Sequence, residues 1–131
     1  NDNSLNQIVV SGYLDDLDKF STDLKAKKIK NIKLPVSAPF HCKLMRDAAL
    51  KMSEELDKVH LKDLSNPIVS NVTANEVQNK EEIRNLLKKQ IESRVRWRES
   101  INYILKKNIY KFIEIGPGKI QSNLVKDLIM T

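Results

Sequence analysis

The 131 residues, 40% hydrophobic and 31% charged, are enough for one folded domain with a core, which excludes a disordered polyelectrolyte. No apolar run approaches the roughly 20 residues that span a bilayer and no signal peptide pattern opens the chain, while its single cysteine excludes an internal disulfide and suits a reducing cytoplasm. A net charge of +6 raises nucleic acid as a partner, but the lysines are scattered and no aromatic residues interleave with them as a stacking platform, so the composition argues against it.

In chain order, Ile8, Val9 and Val10 form a β-branched run that predicts a strand over 7–11, ending at Gly12. Tyr13, Leu17, Phe20 and Leu24 mark one helix face, with Asp15, Asp16 and Asp18 near its start, where acids suit the dipole. Lys25, Lys27, Lys28 and Lys30 form the densest basic cluster and read as a solvated helix end. Residues 29–34 read as a second strand. The stretch Leu34-Pro35-Val36-Ser37-Ala38-Pro39-Phe40-His41-Cys42 follows, in which two prolines fix an extended run. From Lys43 to Val59 the period becomes helical, through Met45, Ala48, Ala49, Met52 and Leu56. Pro67 breaks that pattern, and residues 68–72 read as a strand followed by a polar turn at 75–79. Ile83, Leu86, Leu87 and Ile91 mark a further helix. Trp97, Ile101, Ile104 and Leu105 mark the next one. Residues 111–115 predict another strand, Gly116-Pro117-Gly118 a turn, and Ile120 to Ile129 a last helix. Strands alternating with helices predict an α/β domain with a largely parallel sheet.

The residue that carries chemistry is His41, where an extended segment feeds a helix start. A neutral imidazole there can take a proton, which a general base must do; a histidine that merely helps cap the helix is the plainer alternative. Cys42 beside it invites a cysteine–histidine dyad, but neighbouring residues at a helix start do not generally point at one another. His41, Cys42 and His60 make a poor zinc set. Gly116-x-Gly118 lies between a predicted strand and helix, as phosphate-binding loops do, yet position 121 is Gln121, so a tight turn is the better reading.

Four stretches carry a family resemblance. Pro35-Val36-Ser37-Ala38-Pro39-Phe40-His41-Cys42-Lys43-Leu44-Met45 resembles the catalytic-histidine segment of malonyl-CoA:acyl carrier protein transacylases. Asn3-Ser4-Leu5-Asn6-Gln7-Ile8-Val9-Val10-Ser11-Gly12, Val95-Arg96-Trp97 and Glu114-Ile115-Gly116-Pro117-Gly118-Lys119 are similar to three further segments of that family, in its order. The family's Gly-x-Ser-x-Gly nucleophile elbow does not occur here, since the three glycines are Gly12, Gly116 and Gly118. The chain therefore resembles the C-terminal part of such an enzyme. The resemblance implies the C-terminal part of a hydrolase-like three-layer α/β acyltransferase core over residues 36–131, preceded by half of a ferredoxin-like small subdomain over 1–35.

By the same resemblance, His41 is the general base for a serine outside this chain. A backbone carbonyl of the Val95–Trp97 segment orients its ring. Phe40, Asn3 and Arg96 lie on the substrate side. The substrates are malonyl-CoA and acyl carrier protein, with no cofactor beyond the coenzyme A thioester, no metal, no nucleic acid and no membrane. The remaining partner is the N-terminal part of the same enzyme, in the cytoplasm. An acyltransferase of polyketide synthesis, or a non-catalytic domain that binds an acidic carrier or nucleic acid, are the alternatives.

Overall fold

A computed structural model describes residues 1–130. It contains two short hairpins and five helices. β1 (Asp2–Ser4) pairs antiparallel with β2 (Gln7–Ile8), matching Asp2 to Ile8 and Ser4 to Gln7 across a bulge. α1 (Leu14–Ala26) follows. A single 3-10 turn, Lys43–Met45, leads into α2 (Arg46–Lys58). β3 (Ile68–Val69) pairs antiparallel with β4 (Glu76–Val77), and then come α3 (Lys80–Gln90), α4 (Trp97–Lys106) and α5 (Ile120–Ile129).

Local chemistry fixes the helix ends. Asn79 caps α3, its Oδ1 accepting from the backbone N–H groups of Glu81 and Glu82 at 3.0 and 3.1 Å. Glu81 and Glu82 sit in the first turn and Lys88 and Lys89 in the last, each sign at the dipole end that favours it. α1 and α4 both close with a left-handed residue, Lys28 (φ 58°) and Asn108 (φ 60°). At the end of α1, Ile29 N–H donates to Leu24 O and Lys28 N–H to Lys25 O, the paired bonds of a Schellman motif.

Packing gathers these elements into two groups. α2 lies on α3, around Ala49 and Ile83. β1 lies on α4 and α5, around Ile101, Leu124 and Val125. The second group is tied by Arg98, whose Nε and Nη2 donate to Asp2 Oδ1 and Oδ2 at 2.9 and 2.8 Å. Asp2 N–H donates to Val95 O in the same region.

The sheet expected from the sequence is not formed within this chain. Among the described residues, 29–34 and 111–115 have no ladder partners, and in the other two predicted strands the ladder is confined to Gln7–Ile8 and Ile68–Val69, with Val9 N–H adding a bond to Asn1 O and Ser70 N–H one to Asn75 O. Both observed pairings are antiparallel hairpins rather than parallel neighbours. The physical reason is that a parallel strand needs a second strand beside it, brought by a crossover. The β-branched runs are present, but no such neighbour is. Their side chains stand in solvent accordingly: Ile32 and Ile113 are each 76% exposed and Ile115 is 95% exposed. Among the described residues no large side chain is fully buried, so the chain carries broad apolar faces around a thin core.

Candidate active site

The segment before His41 pairs with no strand, bends at Ser37 and Ala38, and tightens at two points where Val36 N–H reaches Leu34 O and Phe40 N–H reaches Ala38 O, so the extended run expected from its prolines is interrupted. His41 then adopts a left-handed backbone, φ 60°, a conformation that bulky residues seldom hold. Cys42 returns to the extended region and caps the 3-10 turn, with Met45 N–H donating to Cys42 O at 3.0 Å. His41 therefore precedes the cap residue of a helical entry, close to where the sequence period puts it, although the first turn is 3-10 and α2 proper begins at Arg46.

The imidazole is half-buried, and its Nδ1 lies 3.0 Å from Gln90 O. A carbonyl oxygen can only accept, so this bond requires the ring proton on Nδ1 and leaves the lone pair on Nε2. Gln90 is the last residue of α3, one of the positions whose carbonyls have no intrahelical donor. The orienting carbonyl is thus Gln90's, not one from the Val95–Trp97 segment. That segment is engaged elsewhere: Val95 O accepts from Asp2 and Arg96 N–H donates to Asn71 O. The sequence signal that bears on Gln90 is the end of the helical period of α3.

The cysteine–histidine dyad does not form. Cys42 Sγ donates to Pro39 O at 3.1 Å, inside its own turn. Phe40 is about half exposed beside His41. Asn3 lies in the middle of β1 and is half-buried. Arg96 turns toward the loop between β3 and β4: its Nη1 lies 3.5 Å from both Val72 O and Thr73 O, and its Nη2 pairs with Glu99. That contact holds the Glu99 carboxyl below the usual carboxylate range. Among the described residues, no hydrogen bond or ion pair joins His41 to Asn3 or Arg96.

The Gly116-Pro117-Gly118 turn is a closed device. Gly116 (φ 144°) and Gly118 (φ 87°) both hold backbone angles that favour glycine. They fold the chain so that Glu114 reaches the start of α5. Its carboxylate accepts from Gln121 N–H at 3.1 Å, from Ser122 N–H at 3.0 Å and from the Ser122 hydroxyl at 2.5 Å. These bonds hold the Glu114 carboxyl below its ordinary range. The donors a phosphate would use already serve an internal anion, which agrees with a structural turn.

No family model matches the chain. It is 44% identical over 121 residues to the malonyl CoA-acyl carrier protein transacylase of Bacillus subtilis, covering 92% of this chain and 38% of that protein. Among solved structures it superposes on a malonyl-transacylase in complex with its type II polyketide-synthase acyl-carrier protein, with a TM-score of 0.85 at 32% identity over 92% of this chain and 39% of that one. It also superposes on the MCAT of Streptococcus pneumoniae, with a TM-score of 0.83 at 38% identity over 91% of this chain and 39% of that one. The chain spans about two fifths of the length of these relatives. Its α/β architecture is theirs, with segments 29–34 and 111–115 that find no pairing partner in the shared portion. By sequence and by fold, the chain belongs to the malonyl CoA-acyl carrier protein transacylase family and corresponds to the C-terminal portion of its members.

Proposed function

We propose that this chain supplies the general base for malonyl transfer from coenzyme A to acyl carrier protein in fatty acid synthesis, and that the nucleophilic serine comes from an N-terminal part of the same enzyme. One observation carries the reading. His41, in the segment that resembles the family's catalytic-histidine motif, has Nδ1 committed to Gln90 O and so presents Nε2 as a base. In the first half-reaction, Nε2 takes the serine hydroxyl proton as the serine oxygen attacks the malonyl thioester carbonyl. The carbon–sulfur bond then breaks, and Nε2–H returns the proton to the departing coenzyme A thiolate. In the second half-reaction the carrier's thiol gives its proton to Nε2 and attacks the malonyl ester. The serine oxygen leaves and recovers that proton. Malonyl enters on coenzyme A and leaves on the carrier, so the proton balance closes and no cofactor or metal is called for.

Phe40, half exposed next to the base, is assigned to the wall of the acyl pocket, and Asn3 to the same side of the site. Arg96 is engaged with the β3–β4 loop and Glu99, which supports a bracing part for it in place of a substrate contact. We assign residues 36–131 to the α/β core. Because β1 packs on α4 and α5, residues 2–4 go with that core, and the ferredoxin-like small subdomain claims the α1 region up to residue 35. The exposed apolar faces and unpaired segments 29–34 and 111–115 are where the N-terminal part docks. No helix among the described residues is long and apolar enough to cross a membrane, and we place the enzyme in the cytoplasm.

Intact-mass measurement after incubation with malonyl-CoA tests this. The 131-residue chain alone is expected to form no serine ester. The complete enzyme is expected to form one and to lose it in His41→Ala. A malonyl adduct on a serine of this chain alone, formed at an enzymatic rate and dependent on His41, overturns the proposal.

A further inference from the structure

His41 and Gln90 lie on different elements, so their 3.0 Å bond depends on how the start of α2 sits against the end of α3. One side-chain bridge spans that junction. Arg46, the first residue of α2, donates from Nη1 to Glu92 Oε1 at 2.7 Å, and Glu92 follows Gln90 by two residues. Arg46 follows His41 by five. Its guanidinium is largely in solvent, whereas the Glu92 side chain is only 24% exposed. The other links between these helices lie toward the opposite end of α2, where Arg84 reaches Leu56 O and Val59 O and Lys88 pairs with Asp57.

We infer that Arg46 and Glu92 are positioning residues that latch the start of α2 to the end of α3, fixing the Gln90 carbonyl under His41 and thereby selecting the tautomer with its lone pair on Nε2. The inference deepens the proposed function and rests on it for its meaning, but the geometry it concerns is read at His41 itself. His41 has a left-handed backbone, so its ring direction is set by a turn without helical hydrogen bonds of its own. A carbonyl acceptor on a separate helix is then the external reference for the ring, and the latch beside it holds that reference in place.

The test is imidazole nitrogen NMR of the 131-residue chain, reading the ratio of Nδ1–H to Nε2–H tautomers at His41. Arg46→Met and Glu92→Gln are each expected to lower that ratio about 2- to 5-fold, the range an exposed ion pair supplies. The double exchange Arg46→Glu with Glu92→Arg restores it. Arg84→Met serves as the control, because it loosens α2 against α3 at the far end and should leave the ratio unchanged. An unchanged ratio in the two single variants, or an equal fall in Arg84→Met, overturns the latch. A tautomer shift in Glu92→Gln with full acyl transfer in the complete enzyme upholds the latch and counts against His41 as the base, so the two ideas fail separately.

Discussion

α1 and α2 are the same length, 13 residues, and both are amphipathic, yet they sit in the molecule in different ways. α2 is fastened to α3 at both of its ends, through Arg46 on Glu92 and through Arg84 and Lys88 on Leu56, Val59 and Asp57. α1 buries no residue. Its ties run to the segment that follows it, Ser21 Oγ to Asn31 at 2.6 Å and Lys33 to Asp18 at 3.4 Å, while Leu14 and Phe20 stay exposed on its apolar face. A hydrophobic stripe stabilises a helix only against a receiving surface. The α2–α3 pair brings part of its own, burying Ala49 and Ile83 while Leu50 and Met52 stay about half exposed, and α1 finds none among the described residues. His41, the proposed base, leads into that pair and the Gln90 carbonyl closes α3, so their contact forms where the sheet does not.

The strongest test of that division is chemical. In the complete enzyme, His41→Ala is expected to lower kcat/KM for malonyl transfer by about 10²- to 10⁴-fold, the range of general acid–base catalysis, with the α2–α3 pair still folded. Steady-state kinetics beside a thermal melt would check it. A loss below tenfold with an unchanged melt would put the base elsewhere. Arg84→Met probes the fastening itself. The Arg84 side chain is 13% exposed and donates to two carbonyls at the end of α2 that have no other partner in the helix. Losing these charge-assisted bonds is expected to cost about 2 kcal/mol. Amide exchange should quicken around the end of α2 and the first turns of α3 and stay as it was in α1 and at the His41–Gln90 junction. Equal quickening in α1 would mean the two regions are one cooperative unit.

Much of this was legible in the sequence, and what was not has a common cause. The five helices follow from their apolar periods, Met45 to Leu56 for α2 and Trp97 to Leu105 for α4. The turn at His41 follows from Pro35 and Pro39 giving way to a three- and four-residue step. Strands were another matter. Ile113 and Ile115 satisfy every local preference for a strand, but a strand exists only with a neighbour, and β-propensity is a statement about surroundings. The same limit applied to the site. Gln90 acts through its backbone carbonyl, which any residue carries, so the side chain gave no mark of it. Arg96 and Asn3 carried a resemblance to the family, while the tertiary bonds of Arg96, to the β3–β4 loop, could not be inferred from its spacing.

The β1–α4–α5 group lies between the two extremes, and its tie is electrostatic. Arg98 holds the Asp2 carboxyl below the usual aspartate range, chiefly through the paired hydrogen bonds. A carboxyl depressed in the folded state stabilises fully above its unfolded value of about 4, and that contribution is lost as pH falls through the folded value. Asp2→Asn is therefore expected to lower stability by about 1 kcal/mol at pH 7, discounted because the Arg98 side chain is 35% exposed and salt screens the pair. The difference from wild type should shrink as the pH is taken from 7 down to 2. Urea titrations at the two pH values decide it. A deficit that persists at pH 2 would assign the effect to packing and place this group with the α2–α3 pair.

The smallest expected effect is a gain, and it concerns α1 alone. Lys28 and Asn108 occupy the same left-handed position after α1 and α4, and each helix ends on the same pair of backbone bonds. Both residues crowd the following carbonyl with a Cβ, but asparagine's short polar side chain can offset this by bonding locally, and lysine's cannot. Lys28→Gly is thus expected to stabilise by about 0.5–1 kcal/mol, whereas Asn108→Gly should change little. The strain is local, so it can be relieved without a receiving surface for the apolar face of α1. If α1 is loosely held, the gain appears as slower amide exchange at Leu24, Lys25 and Ile29 and leaves the exchange of α2 and α3 untouched. If the gain instead spreads to α2 and α3, then α1 is coupled to the rest of the chain more tightly than its exposed face indicates, and the contrast drawn between the two helices fails at its weaker member.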